Sequence, residues 1–125
     1  MKINKKLIDY TKVLYDNPTN SSAGSITLND NVNNYEHLEI YAKSNSGYYM
    51  YSKVNASINK FALQIIEGST LDNYYANIKC SNFLLNGNKI DHEMTREINI
   101  KGSTRVINSI SNNQVIFITK IVGIK

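Results

Sequence analysis

Carboxylates are the side chains of this sequence best suited to acid–base chemistry, and two close pairs stand out: Glu36 with Glu39, and Asp91 with Glu93. Two carboxyl groups that flank a sugar linkage can hydrolyse it, one of them acting as a proton donor. That donor needs a pKa raised by apolar surroundings, which neither pair has in the sequence. Solvated strand faces explain both pairs better. We therefore predict no catalytic residue and no enzyme, with a glycan hydrolase as the weaker alternative.

The two histidines, His37 and His92, are the natural metal ligands of the chain. The segment around Asp91-His92-Glu93 is the best candidate for a metal site, but adjacent side chains of a strand point to opposite faces. The sequence also lacks the Gly-x-Ser-x-Gly elbow of serine hydrolases and a glycine-rich phosphate loop, because its 6 glycines are scattered singly. We therefore predict no metal and no cofactor.

Tyrosine is the more informative residue. Tyr41, Tyr49 and Tyr51 share one face if segments 35–43 and 47–54 pair as a hairpin across the turn at 44–47. Exposed tyrosines can stack on a sugar ring and donate hydrogen bonds to its hydroxyls. Tyrosine is also simply favoured in strands, where it pairs with cross-strand neighbours. Both interpretations stay open, and these three residues are the candidate glycan-binding site. Such a site requires Tyr49 and Tyr51 to be at least half exposed.

Charge and composition argue against several other classes of partner. The net charge is +4, but the only arginines are Arg96 and Arg105, and arginine is the preferred residue for gripping phosphates and bases. We predict no nucleic acid. The single cysteine, Cys80, excludes an internal disulfide and is expected to be buried. No apolar run approaches the roughly 20 residues of a membrane helix, so we predict no membrane partner. The first residues are too polar for a signal peptide.

Apolar and polar residues alternate with a period of two along most of the chain, as in strands with one buried face. No segment keeps a helical apolar stripe. We predict one all-β domain over residues 1–125, an antiparallel, jelly-roll-like sandwich of about eight to ten strands. The predicted strands cover 7–15, 25–29, 35–43, 47–54, 61–67, 73–85 (with a bulge near Ser81), 89–94, 97–101, 105–110 and 114–125.

The last strand differs from the others because it is apolar on both sides. Val115, Phe117 and Ile121 would lie on one face, and Ile116, Ile118, Val122 and Ile124 on the other. A strand of a two-layer sandwich has one face toward the core, so a loop of the same chain or a second subunit must cover the other. We take Ile116, Ile118 and Val122 as the candidate oligomer interface.

Four segments at the two ends of the sequence form a recognisable pattern: Val13-Leu14-Tyr15, Gly24-Ser25-Ile26-Thr27-Leu28-Asn29-Asp30, Asn34-Tyr35-Glu36-His37-Leu38-Glu39-Ile40 and Ile118-Thr119-Lys120-Ile121-Val122-Gly123-Ile124-Lys125. In these segments the sequence resembles a small β domain found in tail, baseplate and tail-fibre proteins of phages and prophages of low-GC Gram-positive bacteria. The departures from the pattern of that domain are Asn29 in place of serine and Ile124 in place of tyrosine, and residues 45–113 match no motif of it.

The resemblance implies a non-enzymatic component of the virion, at the tail tip or in a fibre, that assembles with itself, most often as a trimer. It also implies a contact with polysaccharide on the host cell surface. A purely structural assembly module without a ligand is the alternative. In either case the expected location is the phage tail, with synthesis in the bacterial cytoplasm and no signal peptide.

Overall fold

The computed structural model describes residues 10–21, 23–68, 75–101 and 105–125. Their regular structure is strand, apart from one 3₁₀ turn (Val32–Asn34). The strands are β1 (Thr11–Asp16), β2 (Ile26–Thr27), β3 (His37–Ser44), β4 (Tyr49–Asn55), β5 (Lys60–Gly68), β6 (Tyr75–Asn86), β7 (Lys89–Lys101), β8 (Arg105–Ser111) and β9 (Ile116–Ile124).

The strands form two antiparallel sheets that face each other across one apolar core. Sheet I has the order β1-β9-β3-β4, and sheet II has the order β2-β7-β6-β5, with β8 also paired to β7. β9 lies between β1 and β3, and β7 lies between β2 and β6, so strands distant in sequence are neighbours, as in a jelly roll. The predicted all-β sandwich is confirmed. Residues 7–9 and 73–74 of the predicted strands lie outside the described residues, and the single domain over 1–125 stays a prediction.

Strict alternation explains how β5 builds the core. Phe61, Leu63 and Ile65 point inward and are buried, while the residues between them are exposed. Each fully buried side chain of this size contributes about 1.5–3 kcal/mol. Phe61 stacks on Phe83 of β6, with ring centroids 5.4 Å apart. The core cluster continues through Leu14, Leu38, Ile40, Leu85, Ile90, Ile116, Ile118 and Ile121.

A bulge in β9 corrects our interpretation of the last strand. Tyr41 of β3 pairs with Lys120 and Ala42 pairs with Ile118, which leaves Thr119 as an extra residue. The extra residue reverses the alternation, so Ile116, Ile118 and Ile121 all face the core with no exposed surface. The hydroxyl of Thr119 donates to the carbonyl of Tyr41 (3.1 Å) at this irregularity. The expectation that Ile116 and Ile118 form an exposed interface is therefore wrong.

The chain's own loop covers the other side of β9. After β1, the amide of Asn17 donates to the carbonyl of Thr119 (2.7 Å), and the side-chain amide of Asn20 donates to the carbonyl of Ile118 (2.9 Å). Phe117 on this side is only 7% exposed. Val122, the third predicted interface residue, is half-buried and pairs with Val13 and Glu39. Of the two covers predicted for this face, the loop is the one observed.

The middle of sheet II also differs from expectation. Segments 89–94 and 97–101 form one strand, β7, in which Glu93 is the extra residue, because Asn82 pairs with Met94 and Phe83 with His92. β6 itself pairs with β5 without any shift. Its inner face becomes polar beyond Phe83, with Ser81 and Lys79 buried, while Cys80 points outward and is half-buried. The bulge that we predict near Ser81 of β6 therefore lies on β7 instead, and what changes near Ser81 is the polarity of the inner face of β6.

Candidate functional site

The β3–β4 hairpin positions the three candidate tyrosines. Tyr41 pairs with Tyr51, and Lys43 pairs with Tyr49, so all three tyrosines lie on the outer side of sheet I, as predicted. The connecting turn at 44–47 closes through a hydrogen bond from the amide of Gly47 to the carbonyl of Ser44 (3.0 Å). Gly47 has φ 89°, a conformation that glycine adopts without strain. We call Tyr41, Tyr49 and Tyr51 the tyrosine face.

The three rings differ in their accessibility. Tyr41 and Tyr51 pack against each other with ring centroids 5.1 Å apart and planes tilted by 56°, and they are 37% and 49% exposed. Tyr49 is 76% exposed, so it meets the expectation of at least half exposure, whereas Tyr51 falls just below it. Tyr49 therefore offers the most accessible of these three rings for stacking, and the packed Tyr41–Tyr51 pair forms a second aromatic surface beside it.

Charged groups surround these rings. The hydroxyl of Tyr51 donates to Oε2 of Glu39, and this hydrogen bond raises the pKa of Tyr51 to about 12, with smaller contributions from burial and from the charge of Glu39. The Nζ of Lys120 lies 6.0 Å from the centroid of the Tyr41 ring, at the outer limit of a cation–π contact. The face is thus aromatic at its centre and charged at its margins.

A groove adjoins Tyr49 at the tip of the hairpin. It has a volume of about 300 Å³, within the size range of small-ligand sites, and polar and aromatic groups line it together. We call it the hairpin groove, and its lining residues are Ser21, Lys43, Ser44, Asn45, Gly47, Tyr49 and Phe117.

A buried ion pair holds the turn that forms one wall of this groove. Nζ of Lys79 lies 2.9 Å and 3.2 Å from the two carboxylate oxygens of Glu67, and the two side chains are 4% and 10% exposed. Lys79 also donates to Oδ1 of Asn45 (2.6 Å) and to Oγ of Ser46 (2.9 Å). The hydroxyl of Ser44 donates to Glu67 (2.6 Å). We call these five residues the turn anchor, because they tie the hairpin turn of sheet I to sheet II.

The pKa of Glu67 reports the balance of forces in the turn anchor. Burial alone raises the pKa of this carboxyl group, but the hydrogen bonds from Ser44 and Lys79 and the charge of Lys79 outweigh burial. The pKa of Glu67 therefore lies below its ordinary value, and the group is ionised in the folded protein at neutral pH. A charged carboxylate and a charged ammonium thus satisfy each other in the interior.

The acidic pairs considered from the sequence do not assemble into a catalytic site. Glu36 is exposed and precedes β3, whereas Glu39 is occupied by the Tyr51 hydroxyl. Asp91 accepts a hydrogen bond from the hydroxyl of Ser25. Neither pair has the shared apolar setting that a proton donor of a hydrolase requires.

A second cavity, of about 230 Å³, brings Ser25, Asp91 and His92 to one wall. Ser25 donates directly to Asp91, whereas Nε2 of His92 lies 2.9 Å from Oγ1 of Thr95, so no histidine stands between the serine and the acid as nucleophilic catalysis needs. Burial lowers the pKa of His92. Within the described residues, no three histidine, cysteine or acidic side chains cluster as metal ligands.

The turn anchor and the hairpin groove are the features that the sequence analysis missed. The position of Glu67 gave one indication of a buried charge, because in the alternating pattern of β5 it falls on the same inward-facing side as Phe61, Leu63 and Ile65. A carboxylate at a core-facing position of a strand requires a buried hydrogen-bonding or charged partner. Nothing in the local sequence identified Lys79 as that partner.

No protein-family model and no curated protein matches this sequence. The part of the chain that the structure describes contains no helix with the length and apolarity to cross a membrane. Function must therefore be argued from the geometry of the tyrosine face and from the resemblance of the chain ends.

Proposed function

We propose that this protein is a non-enzymatic glycan-binding β-sandwich, and, following the resemblance of its chain ends, a component of a phage or prophage tail. The observation that carries the glycan proposal is the pairing of an exposed ring, Tyr49, with a groove of mixed polar and aromatic lining on the same hairpin. A sugar presents an apolar ring face and polar hydroxyls. Tyr49 supplies the stacking surface, and the side chains of Lys43 and Asn45 supply hydrogen-bonding groups nearby.

The rigidity of the hairpin supports this proposal. A mobile loop loses conformational entropy when it binds, at about 0.5–1.5 kcal/mol for each side chain that becomes fixed. Here the turn anchor already holds Ser44, Asn45 and Ser46 in the free protein. Less binding energy is then lost to ordering, which matters for a ligand as hydrated as a sugar.

The test of the proposal is binding of the full chain to a glycan array and to isolated Gram-positive cell walls. Tyr49→Ala should abolish binding and leave the melting temperature nearly unchanged, because the ring is exposed. Tyr10→Ala is the matched control, since Tyr10 is also exposed (46%) but lies beside β1, at the far edge of sheet I. A protein that binds no glycan and no cell wall, or that binds equally well without Tyr49, would defeat the proposal.

The second part of the proposal is that the protein assembles with itself, as a trimer. If the protein binds no glycan, a purely structural role in the virion is the alternative. The observation that favours assembly is a row of isoleucines on the outer side of sheet II. Ile66 pairs with Ile78, which pairs with Ile98, so three isoleucines form a row across β5, β6 and β7. Ile66 is 64% exposed, and Ile110 on β8 is 55% exposed. Since Ile116 and Ile118 are buried, this is the better surface for a contact between copies.

Light scattering of the native particle tests the assembly proposal. We expect a multiple of the chain mass, reduced to the chain mass by Ile66→Lys or Ile110→Lys. Val13→Lys is the control, because Val13 is exposed (43%) on sheet I. A wild-type protein that stays monomeric at high concentration would refute self-assembly.

A further inference from the structure

The charges around the tyrosine face have one predominant sign. Three lysines lie on this side of sheet I: Lys43 opposite Tyr49, Lys53 opposite Glu39, and Lys120 opposite Tyr41. Two acids lie among them: Glu39, opposite Lys53, whose carboxylate accepts the hydroxyl of Tyr51, and Asp16 of β1, opposite Lys120. The rings of the tyrosine face are therefore bordered by more positive than negative charge.

None of these three lysines is paired with an acid in the described part of the chain. The ion pairs there are Lys12 with Asp30 (3.8 Å) and Lys79 with Glu67 (2.9 Å). Nζ of Lys43 contacts a neutral group instead, the carbonyl of Pro18 (3.4 Å). Although Glu39 and Asp16 lie opposite Lys53 and Lys120, none of the three ammonium groups is held in an ion pair, so each can neutralise an anion that arrives with a ligand.

The positions of the three lysines also fit an extended ligand. Lys43 lines the hairpin groove together with Tyr49, so a sugar stacked on Tyr49 would have its substituents within reach of this ammonium group. Lys53 lies four residues along β4 from Tyr49, which corresponds to about 13 Å at 3.3 Å per residue. Lys120 lies on β9 beside the Tyr41 ring, at a level between Lys43 and Lys53 along the strands. The lysines thus border the rings along the length of an extended oligosaccharide.

We propose that the tyrosine face binds an acidic glycan, one whose sugars carry carboxylate or phosphate groups, with the rings stacking on Tyr49 and the acidic groups meeting Lys43, Lys53 and Lys120. This inference rests on the proposed glycan-binding function and specifies the class of ligand. The tyrosines provide contacts that any sugar could use, and the lysines select the anionic ones.

Two matched pairs of probes test the proposal by titration calorimetry. One pair is oligogalacturonate and its methyl ester, which differ in the carboxylate charge. The other is phosphomannan and the same mannan without phosphate. We expect tighter binding of the charged member of at least one pair, and the pair that responds identifies carboxylate or phosphate. This binding should weaken as salt rises to about 0.5 M, because salt screens exposed charges.

Lysine variants provide the second arm. Lys43→Met, Lys53→Met and Lys120→Met should each weaken binding of the charged probe roughly two- to fivefold, the range of an exposed ion pair. In Lys53→Met and Lys120→Met, which lie outside the hairpin groove, binding of a neutral glycan should not change. Lys60→Met is the control, because Lys60 is exposed on β5 of the other sheet.

The outcomes separate this inference from the proposed function. Suppose that the charged and neutral probes bind with equal affinity, and that binding is unaffected by the lysine variants but lost in Tyr49→Ala. This result overturns the acidic-glycan proposal and keeps the glycan-binding one. Binding to neutral glycans alone on an array has the same consequence. Binding of charged probes that survives Tyr49→Ala keeps the role of the lysines and overturns stacking on Tyr49. No binding to any glycan overturns both proposals.

Discussion

Replacing Lys79 by methionine should destabilise this protein far more than replacing any exposed lysine. Methionine keeps the unbranched, apolar stem of the side chain but removes the ammonium group that contacts Glu67, Asn45 and Ser46. Glu67, whose side chain is 10% exposed, then keeps the hydroxyls of Ser44 and Ser46 as hydrogen-bond partners but has no positive charge beside it. Removal of one member of a buried ion pair typically costs about 3–5 kcal/mol.

We expect a loss near the lower end of that range, about 3 kcal/mol, because Glu67 can escape part of the penalty by taking up a proton. For a domain of this size such a loss corresponds to a fall in melting temperature of roughly 10 °C. Urea unfolding monitored by tyrosine fluorescence measures the free energy directly. Lys60→Met, on the exposed side of β5, should change it by less than about 0.5 kcal/mol.

A second variant tests the reasoning behind that magnitude. Glu67→Gln combined with Lys79→Met removes both charges, while the amide oxygen at position 67 can still accept from Ser44. If the cost of the single variant is the isolated buried carboxylate, the double variant should recover most of the lost stability. A single variant that loses less than about 1 kcal/mol, or a double variant that is less stable than the single one, would refute the description of the turn anchor as a closely coupled pair.

Three further predictions concern the core and the response to pH. Gly123→Ala should cost about 1–3 kcal/mol in urea unfolding, because an added Cβ would lie 2.6 Å from Cδ1 of the buried Tyr35 ring, and Gly68→Ala, which meets no atom within 4 Å, is the control. Ile118→Ala should cost about 2–5 kcal/mol and leave the mass in light scattering unchanged, since Ile118 lies in the core and not at a contact between copies. Stability should fall as the pH drops below about 6.5, because the lowered pKa of His92 means that the unfolded chain takes up that proton first. Stability should fall again below about pH 4.5, where the unfolded state protonates Glu67 before the folded state does. His92→Gln should remove only the loss of stability that begins near pH 6.5. A stability that stays flat from pH 7 to 4 would contradict the roles of both His92 and Glu67.

Local alternation was sufficient to predict the sandwich, the β3–β4 hairpin and the shared face of Tyr41, Tyr49 and Tyr51, because each depends on periodicity and turn residues within one short segment. It failed where one residue is inserted. Thr119 reverses the phase of β9, and a bulged strand with a single buried side has the same sequence pattern as a straight strand with two apolar sides. Only the pairing with β3 distinguishes them. This is why Ile116 and Ile118 were assigned to an interface and are found in the core.

The electrostatic part of the candidate site depended on contacts that no local pattern contains. Glu67 and Lys79 come from neighbouring strands of sheet II, and Ser44 comes from sheet I, so the turn anchor exists only once the sheets pack. Lys43 and Lys53 belong to the predicted hairpin, but Lys120 joins them through the β3–β9 pairing. The aromatic half of the site was therefore predictable from sequence, and the charged half was not.

The turn anchor also bears on why the hairpin groove exists. Replacing a buried ion pair by well-packed apolar residues is often neutral or stabilising, so Glu67 and Lys79 are not required to hold the sheets together. What an apolar pair could not do is donate to Asn45 and Ser46, and these contacts fix the turn that walls the groove. The Glu67→Gln, Lys79→Met protein should consequently fold with near wild-type stability and yet bind glycan roughly fivefold more weakly, since binding must now order the turn at a cost of about 1 kcal/mol. Unchanged affinity in that folded variant would show that the charged pair serves the sandwich alone.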